Sequence, residues 1–466
     1  MSKVEEIVER ACRAAEAFRA LDQQRTDAAV RAAARAALAQ RVALARMAHE
    51  ETGIGRWQHK VVKNVIAGGL VYESIRSLKT VGVIAEDPGT GIVEAAQPLG
   101  PVLGLIPVTN PTATVIFKCL IALKTRNPLI VCPHQGARRC AAAAAEACYR
   151  AALDAGAPRD CIQWLEKAAP ETLQQLMSHD RLALILATGT GSIVRKAHSS
   201  GTPVIGVGPG NVPACIDATA DVHAAVGAVV ESKTFDHGSV CASEQALVVE
   251  RRVAERVVEE LRSRGARFLT ADEAERVSRI AYDRERGSMS AAVVGQAPQR
   301  IAEMAGIEVA PATTLLVAVL ERVGPDCPLS AEILAPILAF YAEADFETAV
   351  RRCTEIVRFG GTGHTAVIHS RSEDHIEYFA RALDVGRILV NTPATQGALG
   401  GIYNMLSPSF TLGCGAGGRN ISMDNIGARH LLNIKRIARP RPNPRWAALR
   451  AEALLDDRAP LGFLES

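Results

Sequence analysis

Residues 100–118 read GPVLGLIPVTNPTATVIFK, and the change of pattern inside them decides the fold class. The first half, GPVLGLIPV, is a β-prone apolar run punctuated by glycine and proline, which predicts a buried strand. Asn110-Pro111 then supplies an N-cap residue with proline at the first helical position, so a helix opens there and continues to about Lys124. The alternation continues downstream. PLIVCP (128–133), CIQWLE (161–166), LALILA (182–187) and PVIGVG (203–208) read as strands, while the alanine run after Arg138, PETLQQLMSH and SIVRKAH read as helices. Short strands joined by helices of this length imply right-handed crossovers and a parallel sheet.

Upstream, residues 3–50 predict two or three alanine-rich amphipathic helices, with Val4, Ile7, Val8, Cys12 and Phe18 on one face. Residues 79–97 hold two β-prone runs around Asp87-Pro88-Gly89-Thr90-Gly91, the pattern of a hairpin. After Cys241 the α/β pattern restarts with ALVVE, a long charged helix from residue 252, and the strands LAFY, AVIHS and ILVNT. The expected division is a dinucleotide-binding domain over 1–230 with a hairpin arm at 79–97, a catalytic domain over 231–408, and a segment, 409–466, returning to the cofactor domain and the arm. A lone two-stranded ribbon is barely stable, so the arm, with a strand near 430–438, is expected to extend a neighbour's sheet in a homodimer or homotetramer. The tail after Ala438, RPRPNPR, is broken by proline and is expected to lie over the surface.

The chain has 466 residues, 48% hydrophobic and 22% charged, enough for two or three domains with sizeable cores. Its 53 basic and 50 acidic groups leave a formal charge of +3, too small to argue for nucleic acid or a membrane surface as partner. The longest charge-free run, Ala95–Phe117, contains four prolines and Asn110, so it reads as buried strand and turn rather than a membrane span. The N-terminus lacks the apolar core of a signal peptide. Eleven cysteines, none in Cys-x-x-Cys spacing, signal neither a metal site nor a dithiol motif and suggest a reducing, cytoplasmic setting.

One cysteine stands apart. In TFDHGSVCASEQ (234–245), Cys241 is flanked by Gly238, Ser239, Ala242 and Ser243, small residues that let backbone N–H groups approach a bound atom. Acyl-transfer chemistry needs a thiol beside such an oxyanion site. Two glycine blocks, ATGTGS (187–192) and GVGPGN (206–211), each follow a strand, but neither matches the spaced dinucleotide fingerprint. Taken alone, each reads as a tight turn.

Eight blocks occur in an order that resembles the CoA-acylating aldehyde dehydrogenases: VTNPTATVIFK, KTRNPLIVCPH, ILATGTGSIVRKAHSSGTPVIGVGPGN, SKTFDHGSVCASEQ, AEILAPI, GGTGHTA, NTPATQGALG and TLGCGAGG. The likeness spans roughly residues 5–440 and is nearest to the aldehyde dehydrogenase half of bifunctional alcohol/aldehyde dehydrogenases and to CoA-dependent succinate-semialdehyde dehydrogenases. It implies a Rossmann-type cofactor domain, a second α/β catalytic domain and an oligomerisation arm. It implies Cys241 as nucleophile, with Asn110 and the Cys241 N–H holding the oxyanion. Glu332 matches the family's carboxylate for the nicotinamide ribose. Thr109, Pro133, His134, Thr190 and Gly208 would line the dinucleotide, and Gly413 lies in a block expected to close over the nicotinamide end. No metal is implied.

Hydrolytic relatives carry a glutamate in the glycine block that activates water. VIGVGPGN has no acidic residue, so a thiol such as CoA is the expected acyl acceptor. His364 would assist as proton acceptor, or else serve the backbone of its glycine-rich turn. Cys132, His134 and Gln135 carry no carboxylate against a 2′-phosphate, which leaves NAD and NADP both open as cofactor. Arg419, if it faces the acyl pocket, would pair with an anionic aldehyde such as succinate semialdehyde or sulfoacetaldehyde; facing solvent, it carries no information on the substrate, expected in either case to be a short-chain aldehyde, with acetaldehyde among the candidates. Rival readings are a hydrolytic aldehyde dehydrogenase and a non-catalytic assembly component.

Overall fold

The strand read at residues 100–108 forms over Val102–Ile106 and is the centre of a five-stranded sheet in the computed structural model, which describes residues 2–167, 169–459, 461 and 463. Leu129–Pro133 and Ile162–Trp164 lie to one side of it, Leu184–Ala187 and Val204–Gly206 to the other, all parallel. The chain therefore leaves the central strand in both directions, and the switch point falls between Val102–Ile106 and Leu184–Ala187. Ligands of doubly wound sheets bind outside the carboxyl ends of the strands at such a point. Lys118 pins it: its buried ammonium reaches Leu105 O at 2.6 Å and Leu186 O at 2.7 Å. Helix Pro111–Lys124 opens at Asn110 as expected and is buried along its whole length.

A seven-stranded parallel sheet follows, in the order Ala266–Phe268, Leu315–Val319, Ile337–Glu343, Glu244–Glu250, Val212–Ile216, Gly363–His369, Val385–Val390. Val212–Ile216 pairs with Glu244–Glu250, so the chain changes sheets between Gly206 and Val212 rather than near residue 230. Pro213 hides this strand in the sequence, since proline removes a ladder donor; the register shift between Val212 and Pro213 is the irregularity that accommodates it. Helix Val222–Thr234 accordingly packs into the core of the second sheet, not the first.

Three helices, Lys3–Arg19, Gln23–Ala39 and Arg41–Thr52, occupy the N-terminal region. Gly82–Asp87 and Ile92–Pro98 form the hairpin, and Leu432–Ala438 adds to it antiparallel. Of the strand residues in this arm only Ala96 is buried. No helix among the described residues is long and apolar enough to cross a membrane.

Candidate active site

The amino ends of the seven strands bring together residues far apart in sequence. Cys241 sits in a turn just before Glu244–Glu250, Glu332 on the loop before Ile337–Glu343, and His364 at the start of Gly363–His369. The loop after Val204–Gly206 threads between them. A Cβ at Gly210 would collide with the Cys241 carbonyl oxygen and stand 3.2 Å from His364 Cε1, so only glycine fits this approach. The Gly210 N–H donates to Glu332 Oε1 at 3.0 Å. The glycine block thus lies against the thiol loop through backbone alone.

Cys241 is half-buried, and burial pushes its thiol up to about 12, helped by the Glu332 carboxylate and opposed by the Arg387 guanidinium. Its backbone N–H makes no hydrogen bond to another described residue. His364 is fully buried; its Nδ1 lies 3.0 Å from Thr365 Oγ1 and its Nε2 has no partner among the described residues. Burial and Arg387 depress its pKa to about 3, so the ring is a neutral imidazole. Burial likewise raises Glu332 to about 7.

From the five-stranded sheet, Thr109 and Asn110 extend the carboxyl end of Val102–Ile106. Asn110 Nδ2 donates to Thr109 Oγ1 at 3.0 Å, and its Oδ1 accepts from Lys63 Nζ at 2.5 Å. Thr190 is the N-cap of helix Gly191–His198 but makes no side-chain cap bond, which leaves the first-turn N–H groups open toward an anion. Pro133 ends the neighbouring strand. His134 is exposed, with Nδ1 accepting the Gly136 N–H at 3.1 Å. Gly208 meets the Cys414 block, with Sγ 3.7 Å from where its Cβ would stand.

The 409–425 segment ties the two sheets together. Thr411 Oγ1 lies 3.4 Å from Thr188 Oγ1, and Asn420 Nδ2 donates to Gly206 O. On the other side, Arg387 donates to Gly413 O at 2.7 Å and to His364 O at 2.9 Å. Arg419 stands apart from this lattice. It is exposed, in a left-handed conformation (φ 57°), and its side chain forms no hydrogen bond or ion pair among the described residues.

Sequence reasoning missed a set of four buried charged residues, Asp236 and Lys60 among them. Asp236 accepts from Arg56 N–H at 2.7 Å, Lys60 Nζ at 3.0 Å, Lys63 Nζ and Ser239 Oγ at 3.0 Å. Lys63 and Arg387 complete the set. The one available signal was Asp236 itself, five residues before the thiol in a run of small residues.

A pattern for the aldehyde dehydrogenase family matches residues 1–403. The chain belongs to that family. It is 41% identical to the bifunctional aldehyde-alcohol dehydrogenase of Escherichia coli over 96% of this chain and 51% of that protein. It is 32% identical to the succinate-semialdehyde dehydrogenase (acetylating) of Clostridium kluyveri over 93% and 95%. The crystal structure of an acetylating aldehyde dehydrogenase from Geobacillus thermoglucosidasius shares 44% identity and a TM-score of 0.92, covering 95% of this chain and 98% of that one. The chain spans about half the length of the aldehyde-alcohol dehydrogenases it matches.

Proposed function

We propose that this chain is a CoA-acylating aldehyde dehydrogenase, converting an aldehyde, CoA and NAD(P)+ into acyl-CoA and NAD(P)H through a thioester on Cys241. The observation that carries the reading is the contact between the glycine block and the thiol loop: at Gly210 backbone presses on the Cys241 carbonyl where a side-chain base has no room. The carboxylate that reaches this block, Glu332, is already engaged by the Gly210 N–H.

In this reading Cys241 reacts as the thiolate, its proton released to solvent; the sulfur bonds to the aldehyde carbon, and the carbonyl oxygen becomes an oxyanion held by Asn110 Nδ2 and the Cys241 N–H. Loss of hydride from that carbon leaves the acyl group on sulfur. His364, whose Nε2 has no partner among the described residues, receives the proton of the incoming thiol and returns it to the Cys241 sulfur as that sulfur leaves the acyl carbon to CoA.

The residues present fit a dinucleotide. The open first turn after Thr190 suits the pyrophosphate, Glu332 has a free Oε2 for a ribose hydroxyl, and Thr109, Pro133, His134 and Gly208 line the way between. Gly413, held by Arg387, belongs to the segment joining the two sheets at the nicotinamide end. When bound, the nicotinamide supplies the hydride acceptor. Cys132, His134 and Gln135 carry no carboxylate, so either NAD or NADP is accommodated. The reading does not depend on Arg419, which is exposed.

The open edges of Leu432–Ala438 and Val385–Val390, with the sparse burial of the arm, support a homodimer or homotetramer in which the arm extends a neighbour's sheet. Sedimentation as a monomer at working concentration would remove this part. Eleven free thiols suit a cytoplasmic location.

The decisive assay follows NADH with acetaldehyde in the presence and absence of CoA. Turnover should require CoA, and Cys241→Ala should lower it by at least about a thousandfold. Full turnover without CoA overturns the acylating reading.

A further inference from the structure

A carboxamide offers oxygen on one side and nitrogen on the other, and only the nitrogen donates to an oxyanion. What stands behind Asn110 decides its orientation. An ammonium has donors and no acceptor, so the atom 2.5 Å from Lys63 Nζ is the oxygen. Of the two Nδ2 hydrogens, one is taken by Thr109 Oγ1, and the second remains for the substrate.

The same Nζ also binds Asp236 Oδ2 and lies 3.3 Å from Ser239 Oγ, two residues before Cys241. A single ammonium therefore spans the Asn110 arm of one sheet and the thiol loop of the other. Lys60, one turn earlier on the same helix face, binds Asp236 as well. His59 Nδ1 accepts the Asp236 N–H at 2.7 Å, so that ring is neutral. Two ammoniums share one carboxylate, and all three side chains are no more than 3% exposed. The group holds a surplus positive charge in the interior. Such a surplus is costly unless negative charge develops beside it, as an oxyanion or thiolate would.

We propose that Lys63 is a positioning residue for the reaction: it fixes the Asn110 carboxamide with Nδ2 toward the substrate, polarises it, and locks it to the Cys241 loop through Asp236 and Ser239. This rests on the oxyanion role given to Asn110 above.

The test is a cycle of Lys63→Met, Asn110→Ala and the double variant, assayed for acyl-CoA formation from acetaldehyde at saturating NAD+ and CoA. Asn110→Ala should lower kcat about a hundredfold. Lys63→Met should lower kcat by a similar factor with KM for NAD+ within about twofold, and the double variant should be no worse than the poorer single one. Losses that multiply in the double variant overturn the proposal, as does a native kcat in Lys63→Met beside a damaged Asn110→Ala. A native rate in Asn110→Ala removes the Asn110 reading itself, and the Lys63 proposal with it, a result seen without the lysine variant. Should Lys63→Met fail to fold, Lys63→Gln restores an N–H donor to Asn110 Oδ1. Its kcat should fall below native yet stay at least about tenfold above Asn110→Ala; a rate equal to either overturns the assignment.

Discussion

Two buried charge groups border the Cys241 loop, opposite in sign and in construction. In the first, Lys60 and Lys63 contact Asp236 directly. In the second, Glu244 and Glu332 share the field of Lys233, whose ammonium binds Gln245 Oε1 at 3.1 Å and Ile333 O at 3.4 Å and touches neither carboxylate. Glu244 accepts the Ala394 N–H at 2.9 Å through Oε1, and its Oε2 has no partner among the described residues. The outcomes differ accordingly. Asp236 is deeply buried, yet its two lysines hold it well below the usual carboxylate range. Burial pushes Glu244 and Glu332 up to about 7 and Lys233 down to about 7, close to losing their charges together. Contact preserves charge in the interior; a field without contact does not overcome desolvation. The first group is a fixed positive charge behind the Asn110 carboxamide, while the second stays quiet.

The largest consequence of this contrast concerns Asp236. Asp236→Asn leaves two buried ammoniums without a counter-charge and should cost about 3–5 kcal/mol of stability, read from urea unfolding. A cost below about 1 kcal/mol would break the comparison, because the first group would then behave like the second.

A smaller effect of opposite sign is expected at Glu244. Its folded pKa is raised, so the unfolded state releases its proton first, and the carboxylate subtracts stability as pH rises from about 4.5 to 7. Glu244→Gln should match the native protein near pH 4 and exceed it by about 3 kcal/mol at pH 8. Equal stabilities at both pH values would show that Lys233 compensates Glu244 without touching it.

The smallest effect sharpens the link to the thiol. Glu332 is one of the charges that raise the Cys241 pKa, so Glu332→Gln should lower it and speed alkylation of the free protein by iodoacetamide about tenfold at pH 7.5. An unchanged alkylation rate would place the thiol outside the field of the second group.

Much of this molecule was legible beforehand, and the reasons are local. The strand before Asn110, the helix opened by Asn110-Pro111 and the hairpin around Asp87–Gly91 each follow from patterns within a few residues. Val212–Ile216 was not legible: Pro213 speaks against a central strand, and only the irregular pairing with Glu244–Glu250 makes room for it. Nothing in the sequence around Lys60 and Lys63 marks them as buried; a carboxylate more than 170 residues away makes their face of the helix the interior. Arg419 carries the opposite lesson, since an arginine in a glycine-rich block invites a substrate role and the left-handed turn exposes it.

By itself the order of residues determined the α/β class, the thiol loop and the glycine block without an acid, because backbone propensity, capping and the presence of a functional group are properties of short segments. Only the tertiary structure decided which charges survive burial, which way the Asn110 carboxamide is turned and where one sheet gives way to the other. Those depend on desolvation and contact between groups that the chain brings together from distant positions, and neither is written in any one stretch of it.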